Sequence, residues 1–292
     1  SKVYLFYNGV GDLRIMPCYM ESLKISSVKI VNSHPRNRER GFPTVMAIIL
    51  LVDPETGFPK SIMGATWITG MRTGAAGAIA AKYLAKKDSR IAAFIGAGTQ
   101  AKMQLRGLLE VANKLREIRV FDIRPEAGKS FTRLLEENYP GRFSVIQAGS
   151  VKDAVKDADI IITTTPSRKP IVLDEWISEG VHLNCIGADA PGKQELDPKI
   201  LKRASKIVVD DLEQAIHAGE VNVPISRGIL KKSEIYGELG EIVAGLKNGR
   251  ESDDEITVFT STGLAIQDAV TANLVYEKAV ERGLGMLIEF VD

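Results

Sequence analysis

The sequence predicts an α/β protein: a doubly wound parallel sheet joined to an α+β region. Three observations carry this expectation. From Ser89 onward, short apolar runs alternate with helical stretches. The first of those runs ends in a glycine-rich turn that opens a helix. Up to residue 88, by contrast, β-like runs are joined by tight-turn residues.

In order, Lys2–Tyr7, Leu23–Asn32 and Val45–Val52 read as strands, with turns at Asn8-Gly9, Gly11-Asp12 and Pro54-Glu55-Thr56-Gly57. The alanine-rich stretch from about Thr73 to Lys86 reads as a helix. Strands are then expected at Ile91–Ile95, Ile118–Asp122, Phe143–Gln147, Asp159–Thr163, Val181–Ile186 and Lys206–Val209, with Glu255–Phe259 closing the series. Helices are expected at Gln100–Lys114, Glu126–Tyr139 and Val151–Lys156. The segment Gly263–Arg282 has helical spacing in Leu264, Ile266, Val270, Leu274 and Val275. Its return to the first region makes that domain discontinuous. The expected division is 1–88 with 263–292 for one domain and 89–262 for the other.

At 292 residues the chain accommodates two domains. Lys+Arg is 38 against Asp+Glu 37, a net charge of +1, so no field draws the chain to nucleic acid or anionic lipid. The longest aliphatic run, Val45–Val52, is too short to span a bilayer. The opening SKVYLFYNGVGDLR lacks the basic-then-apolar pattern of a secretory signal. The two cysteines, Cys18 and Cys185, form no disulfide framework and have no metal-ligand spacing, which points to a reducing, cytoplasmic compartment and no metal. Cys185, in an apolar run, reads as a small core residue.

Ile91–Ile95 runs into Gly96-Ala97-Gly98-Thr99-Gln100-Ala101, the G-x-G-x-x-A form of the dinucleotide fingerprint. Gly96 permits the tight turn, Gly98 lets a pyrophosphate approach the backbone, and Ala101 allows close helix–strand packing. The following helix N-terminus offers free N–H groups. Alone the motif is often just a turn, but a strand precedes it and a helix follows. The next strand ends in Asp122, where an acidic residue accepts hydrogen bonds from ribose hydroxyls. Asp122 favours NAD(H) over NADP(H), because a 2′-phosphate would meet its charge; Arg124 nearby partly offsets this. Thr164 and Thr165 follow a strand at the edge where open sheets bind ligands, so they read as cofactor contacts or as a polar loop ended by Pro166.

Four ionisable residues stand where chemistry is plausible. Lys29 lies between apolar neighbours and reads either as a surface lysine or as a functional one. Arg14 and Arg72 read as solvated, or as guanidinium clamps for a carboxylate. Asp189 reads as a functional acid, or as the cap of a helix beginning near Pro191.

The segments GDLRIMP, KIVNSHPRN, GFPTVMAIILLVDPETGFP, MRTGAAGAIAAKYLA, FIGAGTQA, TTTPSRKP, GADAPGKQELD, VVDDLEQAIHAGE and STGLAIQD together resemble the ornithine cyclodeaminase/mu-crystallin family, and most the archaeal alanine dehydrogenase and Δ1-pyrroline-2-carboxylate reductase branch. The resemblance covers nearly the whole chain. Cyclodeaminases often carry Cys after the motif Asp; here that residue is Ala190. The resemblance implies a Rossmann NAD-binding domain and a discontinuous substrate-binding domain whose sheet pairs with that of a second copy in a homodimer. It implies Lys29 and Asp189 as the catalytic pair and Arg14 and Arg72 as substrate-carboxylate or cofactor-side contacts. It also implies Thr73 near the pyrophosphate, and Ser261 and Thr262 near the nicotinamide. The expected activity is NAD(H)-dependent oxidoreduction at the C–N bond of a small amino acid or cyclic imino acid. Ornithine cyclodeamination with recycled NAD, or non-catalytic ligand carriage, are the alternatives. The presence of both Lys29 and Asp189 weighs against carriage.

Overall fold

The computed structural model describes residues 2–289 and divides the chain into two compact units, Ser1–Arg72 with Leu264–Asp292, and Thr73–Gly263. Residue 1 and residues 290–292, which the sequence reading includes in the first domain, lie outside the described residues.

The first unit opens with an antiparallel meander, β1 (Val3–Tyr7), β2 (Gly11–Met20), β3 (Ile25–Ser33), β4 (Val45–Val52) and β5 (Pro59–Gly64), in that spatial order. Asn8 and Gly9 take positive φ, 26° and 77°, in the turn joining β1 to β2. Every second residue of β3, from Ile25 to Val31, is buried, so one sheet face is core and the other is not. Two strands depart from expectation. Gly11-Asp12 begins β2 rather than making a turn, and β5 was not anticipated. Helix α1 (Thr66–Leu84) starts earlier than its alanine run, so Arg72 lies within it rather than opening it. The division between the units falls inside α1, earlier than the expected boundary at 88.

The second unit continues through β6 (Ile91–Ile95), α2 (Thr99–Val111), β7 (Glu117–Phe121), α3 (Pro125–Asn138), β8 (Ser144–Gln147), α4 (Val151–Val155), β9 (Ile160–Thr163) and β10 (His182–Cys185). It ends with α5 (Pro198–Arg203), β11 (Lys206–Val209), α6 (Leu212–Ala218), α7 (Asn222–Ser226), β12 (Gly237–Glu238), α8 (Leu239–Val243) and β13 (Thr257–Thr260). All eight strands pair in parallel, in the order β12-β11-β13-β10-β9-β6-β7-β8. The strand expected to close the series, β13, is the last in the chain, and in the sheet it lies between β10 and β11, with β12 at the edge. Alternate residues enter separate cores: Ala93, Ile95 and Ile161 one, Ala92, Phe94, Ile160 and Ile162 another. Burial on both faces explains why these strands read as continuous apolar runs. The order reverses between β6 and β9, the switch point whose carboxyl end binds ligands in open α/β sheets.

Helix α9 (Ala265–Glu281) belongs to the first unit and packs on β2, β3 and β4, placing Ala272 in a core with Met16, Val31, Ala47, Ile49 and Leu51. No helix among the described residues is long and apolar enough to cross a membrane. Among them, too, no group of three or more His, Cys, Asp or Glu is placed to hold a metal ion.

Candidate active site

In the first unit, the sheet face beneath α9 carries a buried charge cluster. Strand alternation points Lys29 inward from β3, opposite Met16 of β2, and leaves it 1% exposed. Its Nζ donates to Asp268 Oδ2 at 2.5 Å, and Arg72 Nε donates to Asp268 Oδ1 at 2.9 Å. Arg72 Nη1 also donates to Gln267 Oε1 at 3.1 Å. Asp268 lies in the first turn of α9 and is 0% exposed. Two cationic side chains thus share one carboxylate. An ammonium has three N–H donors, and among the described residues that of Lys29 uses one. Burial lowers the Lys29 pKa most and the Arg72 guanidinium lowers it further, while Asp268 pulls the other way; the result is about 7. Arg14, two strand positions from Met16, is buried and donates to Asp12 through Nε at 2.7 Å and Nη2 at 3.3 Å, beneath the Tyr4 ring.

In the second unit, the expected cofactor residues gather at the carboxyl edge of the parallel sheet. Gly96 follows β6 with φ +97°, and a Cβ there would lie 2.8 Å from Thr164 Oγ1. The chain after β9 meets it: Thr164 N donates to Ile95 O at 2.9 Å and its hydroxyl donates to Gly96 O at 3.3 Å. Gly98 caps α2 without a side-chain hydrogen bond, so the first-turn N–H groups that begin with Thr99 have no side-chain cap. Ala101 is fully buried against the sheet. Gln100 Nε2 is buried with no partner among the described residues. These features fit a dinucleotide pyrophosphate, which would take the N–H groups and the amide.

Asp122 follows β7, accepting from Ala97 N and Arg124 N, both at 2.9 Å. Burial alone would raise its carboxyl, but these donors outweigh it and hold the pKa below the usual carboxylate range. Thr73, buried in α1, accepts through its carbonyl from Gln104 Nε2 at 2.8 Å, which fixes it beside α2.

Asp189 follows β10. Its carboxylate accepts from Lys193 Nζ at 2.5 Å, and its side chain is 35% exposed. No helix begins near Pro191; the next is α5 at Pro198, so Asp189 is not a helix cap. Gly187 brings this loop against the threonine loop, for a Cβ there would lie 2.1 Å from Thr165 O.

The sequence reading missed the acids that hold this edge together. Asp210, after β11, accepts from Thr262 N at 2.7 Å, Thr262 Oγ1 at 2.8 Å, Gly263 N at 2.6 Å and Ser261 Oγ at 3.3 Å. The Ser261 hydroxyl therefore donates inward, to Asp210. Glu195 accepts from Thr163 Oγ1, Thr165 N and Thr165 Oγ1, each at 2.7 Å, and from Gly187 N at 2.9 Å. Glu220 accepts in turn from the backbone of Glu195 and Leu196. Burial raises the pKa of both glutamates.

A doubly wound sheet with a glycine turn and an uncapped helix N-terminus at its switch point defines a Rossmann-type protein. The ornithine cyclodeaminase/mu-crystallin family profile matches residues 1–283, and the chain belongs to that family. It is 51% identical over 289 residues to a protein named alanine dehydrogenase of Archaeoglobus fulgidus, covering 99% of this chain and 87% of the relative. A structure described as an archaeal alanine dehydrogenase dimer with bound NAD superposes with TM-score 0.93 at 51% identity, covering all of this chain and 88% of that one. The Δ1-pyrroline-2-carboxylate reductase of Thermococcus litoralis, solved with NADH and L-proline, superposes with TM-score 0.94 at 40% identity, covering 98% and 88%.

Proposed function

We propose that this protein is an NAD(H)-dependent oxidoreductase acting on the C–N bond of a small amino acid or cyclic imino acid, as an alanine dehydrogenase or a Δ1-pyrroline-2-carboxylate reductase. The observation that carries the reading is the cradle from Gly96 to Ala101, with Asp122 beside it. Both solved relatives described above contain NAD or NADH. NAD(H) is favoured over NADP(H) because the Asp122 charge opposes a 2′-phosphate and Arg124 donates to that carboxylate.

When bound, NAD(H) supplies or accepts the hydride. The protein's own groups do the rest. Lys29 and Arg72 hold the substrate carboxylate through N–H donors that Asp268 leaves unengaged. Arg14, already paired with Asp12, supports the same site. Asp189 exchanges a proton with the substrate nitrogen or with water. Thr73, Thr164, Thr165, Ser261 and Thr262 line the cofactor side.

We assign the protein to the cytoplasm, in keeping with its free cysteines. We also assign a homodimer. The sheet face opposite α9 carries the cross-strand row Ile15, Ile30 and Ile48, and beside it Val28, Leu50 and Ile62. Ile48 and Ile62 are 51% and 61% exposed, an apolar face that a second copy would cover.

The test is a spectrophotometric panel at the NADH band with pyruvate plus ammonia, Δ1-pyrroline-2-carboxylate, Δ1-piperideine-2-carboxylate and ornithine. Net NADH loss with one of the first three is expected. Ammonia release from ornithine without net NADH change would replace this reading with cyclodeamination.

A further inference from the structure

Lys29 is almost wholly buried, and the charged and titratable groups acting on it come from several elements. Asp268 stands in α9 and Arg72 in α1. Lys2 precedes β1 and adds a weaker repulsion. The neighbouring strand β2 contributes Arg14, already paired with Asp12, and the thiol of Cys18. Strand β4, on the other side, reads VMAIILLV and has no charged residue. Asp268 is therefore the carboxylate that meets Lys29 directly, and it divides its two oxygens between Lys29 and Arg72.

We propose that Asp268 is a positioning residue that keeps Lys29 in its ammonium form and fixes Lys29 and Arg72 as one preassembled carboxylate clamp. The inference rests on the reading that Lys29 meets the substrate. The physical reason is balance. An isolated buried ammonium beside a guanidinium loses its proton, because water no longer solvates the charge and a like charge repels it. One carboxylate bonded to both reverses part of that cost. It also leaves the pair with one positive charge in excess, which suits an incoming anion. A guanidinium does not lose its proton in the working pH range, so the group whose state Asp268 controls is Lys29. Asp268 needs no contact with substrate for this role.

The test uses the full-length protein labelled with 13Cε-lysine, in wild-type form and as Asp268→Asn and Asp268→Ser, with the Lys29 resonance assigned by its loss in Lys29→Arg. The asparagine keeps the shape and removes the charge; the serine offers a second variant should the first not fold. The midpoint of the Lys29 titration is expected to fall by about one pH unit or more in either variant, the size of a direct ion-pair contribution. The limb of kcat/KM that disappears as pH rises is expected to move down with it. An unchanged midpoint, even with a lowered melting temperature, would overturn the proposal and leave Asp268 a purely structural residue. The failure of the underlying reading looks different: Lys29→Ala would then retain wild-type kcat, while the resonance would still shift in the Asp268 variants.

Discussion

Lys29 and Asp189 are an unequal pair at the level of single residues. Lys29 is sealed beneath α9 and shares the Asp268 carboxylate with Arg72, whereas Asp189 is partly exposed and tied to Lys193. A buried lysine with a pKa of about 7 changes state within the working pH range. The ammonium is the form that clasps a carboxylate. It exists below that pKa and is lost as pH rises through it. Since kcat/KM reports groups of the free enzyme, its reductive-direction profile is expected to fall as pH rises past about 7. Lys29→Ala and Asp189→Asn are each expected to lower kcat by ~10²–10⁴-fold, the usual loss on removing a positioned proton-transfer or polar group. NADH affinity, read by fluorescence titration on the same preparations, is expected to persist, because neither residue belongs to the Gly96–Ala101 loop. A variant that keeps near-wild-type kcat would remove its residue from the mechanism. These two residues, Arg14 and Arg72 stood out as candidates from their motifs. Asp268 did not. It looks like an ordinary acidic residue favouring the first turn of a helix, and its partner Lys29 lies 239 residues away in the chain.

Among the elements, legibility follows burial. The parallel strands β6, β9 and β11 are buried on both faces, and their apolar runs announce them. Strand β2 hides because it holds Gly11, Asp12 and Pro17, residues that normally end or interrupt strands. Strand β5 hides between Pro59 and Gly64 for the same reason. The loops at the carboxyl edge read as polar turns, and Glu195 among them looks like a solvated acid. In the structure it is fully buried and joins the ends of β9 and β10 through Thr163, Thr165 and Gly187. An isosteric Glu195→Gln replaces one carboxylate oxygen, which accepts two hydrogen bonds, with an NH2 donor that faces those same donors. It is expected to cost about 1–3 kcal/mol of stability and to weaken NADH binding by loosening the Thr164–Thr165 loop. Denaturant unfolding and cofactor titration together check this; an unchanged midpoint and an unchanged NADH Kd would mean that the two loops hold without it.

At the scale of the whole molecule, the first unit presents an apolar sheet face that a single chain leaves exposed. Light scattering at micromolar concentration is expected to give twice the mass of the 31.8 kDa chain, and a monomer mass would leave that face unexplained. The second unit carries the fold of a dinucleotide enzyme, and the two units together belong to a family with dehydrogenase and reductase relatives. The central claim is that hydride passes between the nicotinamide and the carbon bearing the substrate nitrogen. It is tested most directly with NADH deuterated at the transferred C4 position, using the best substrate of the panel and mass spectrometry of the product. One deuterium is expected at Cα of the proline or alanine formed, matched mole for mole by NADH consumed. Product free of deuterium, or NADH bound and never consumed, would contradict it.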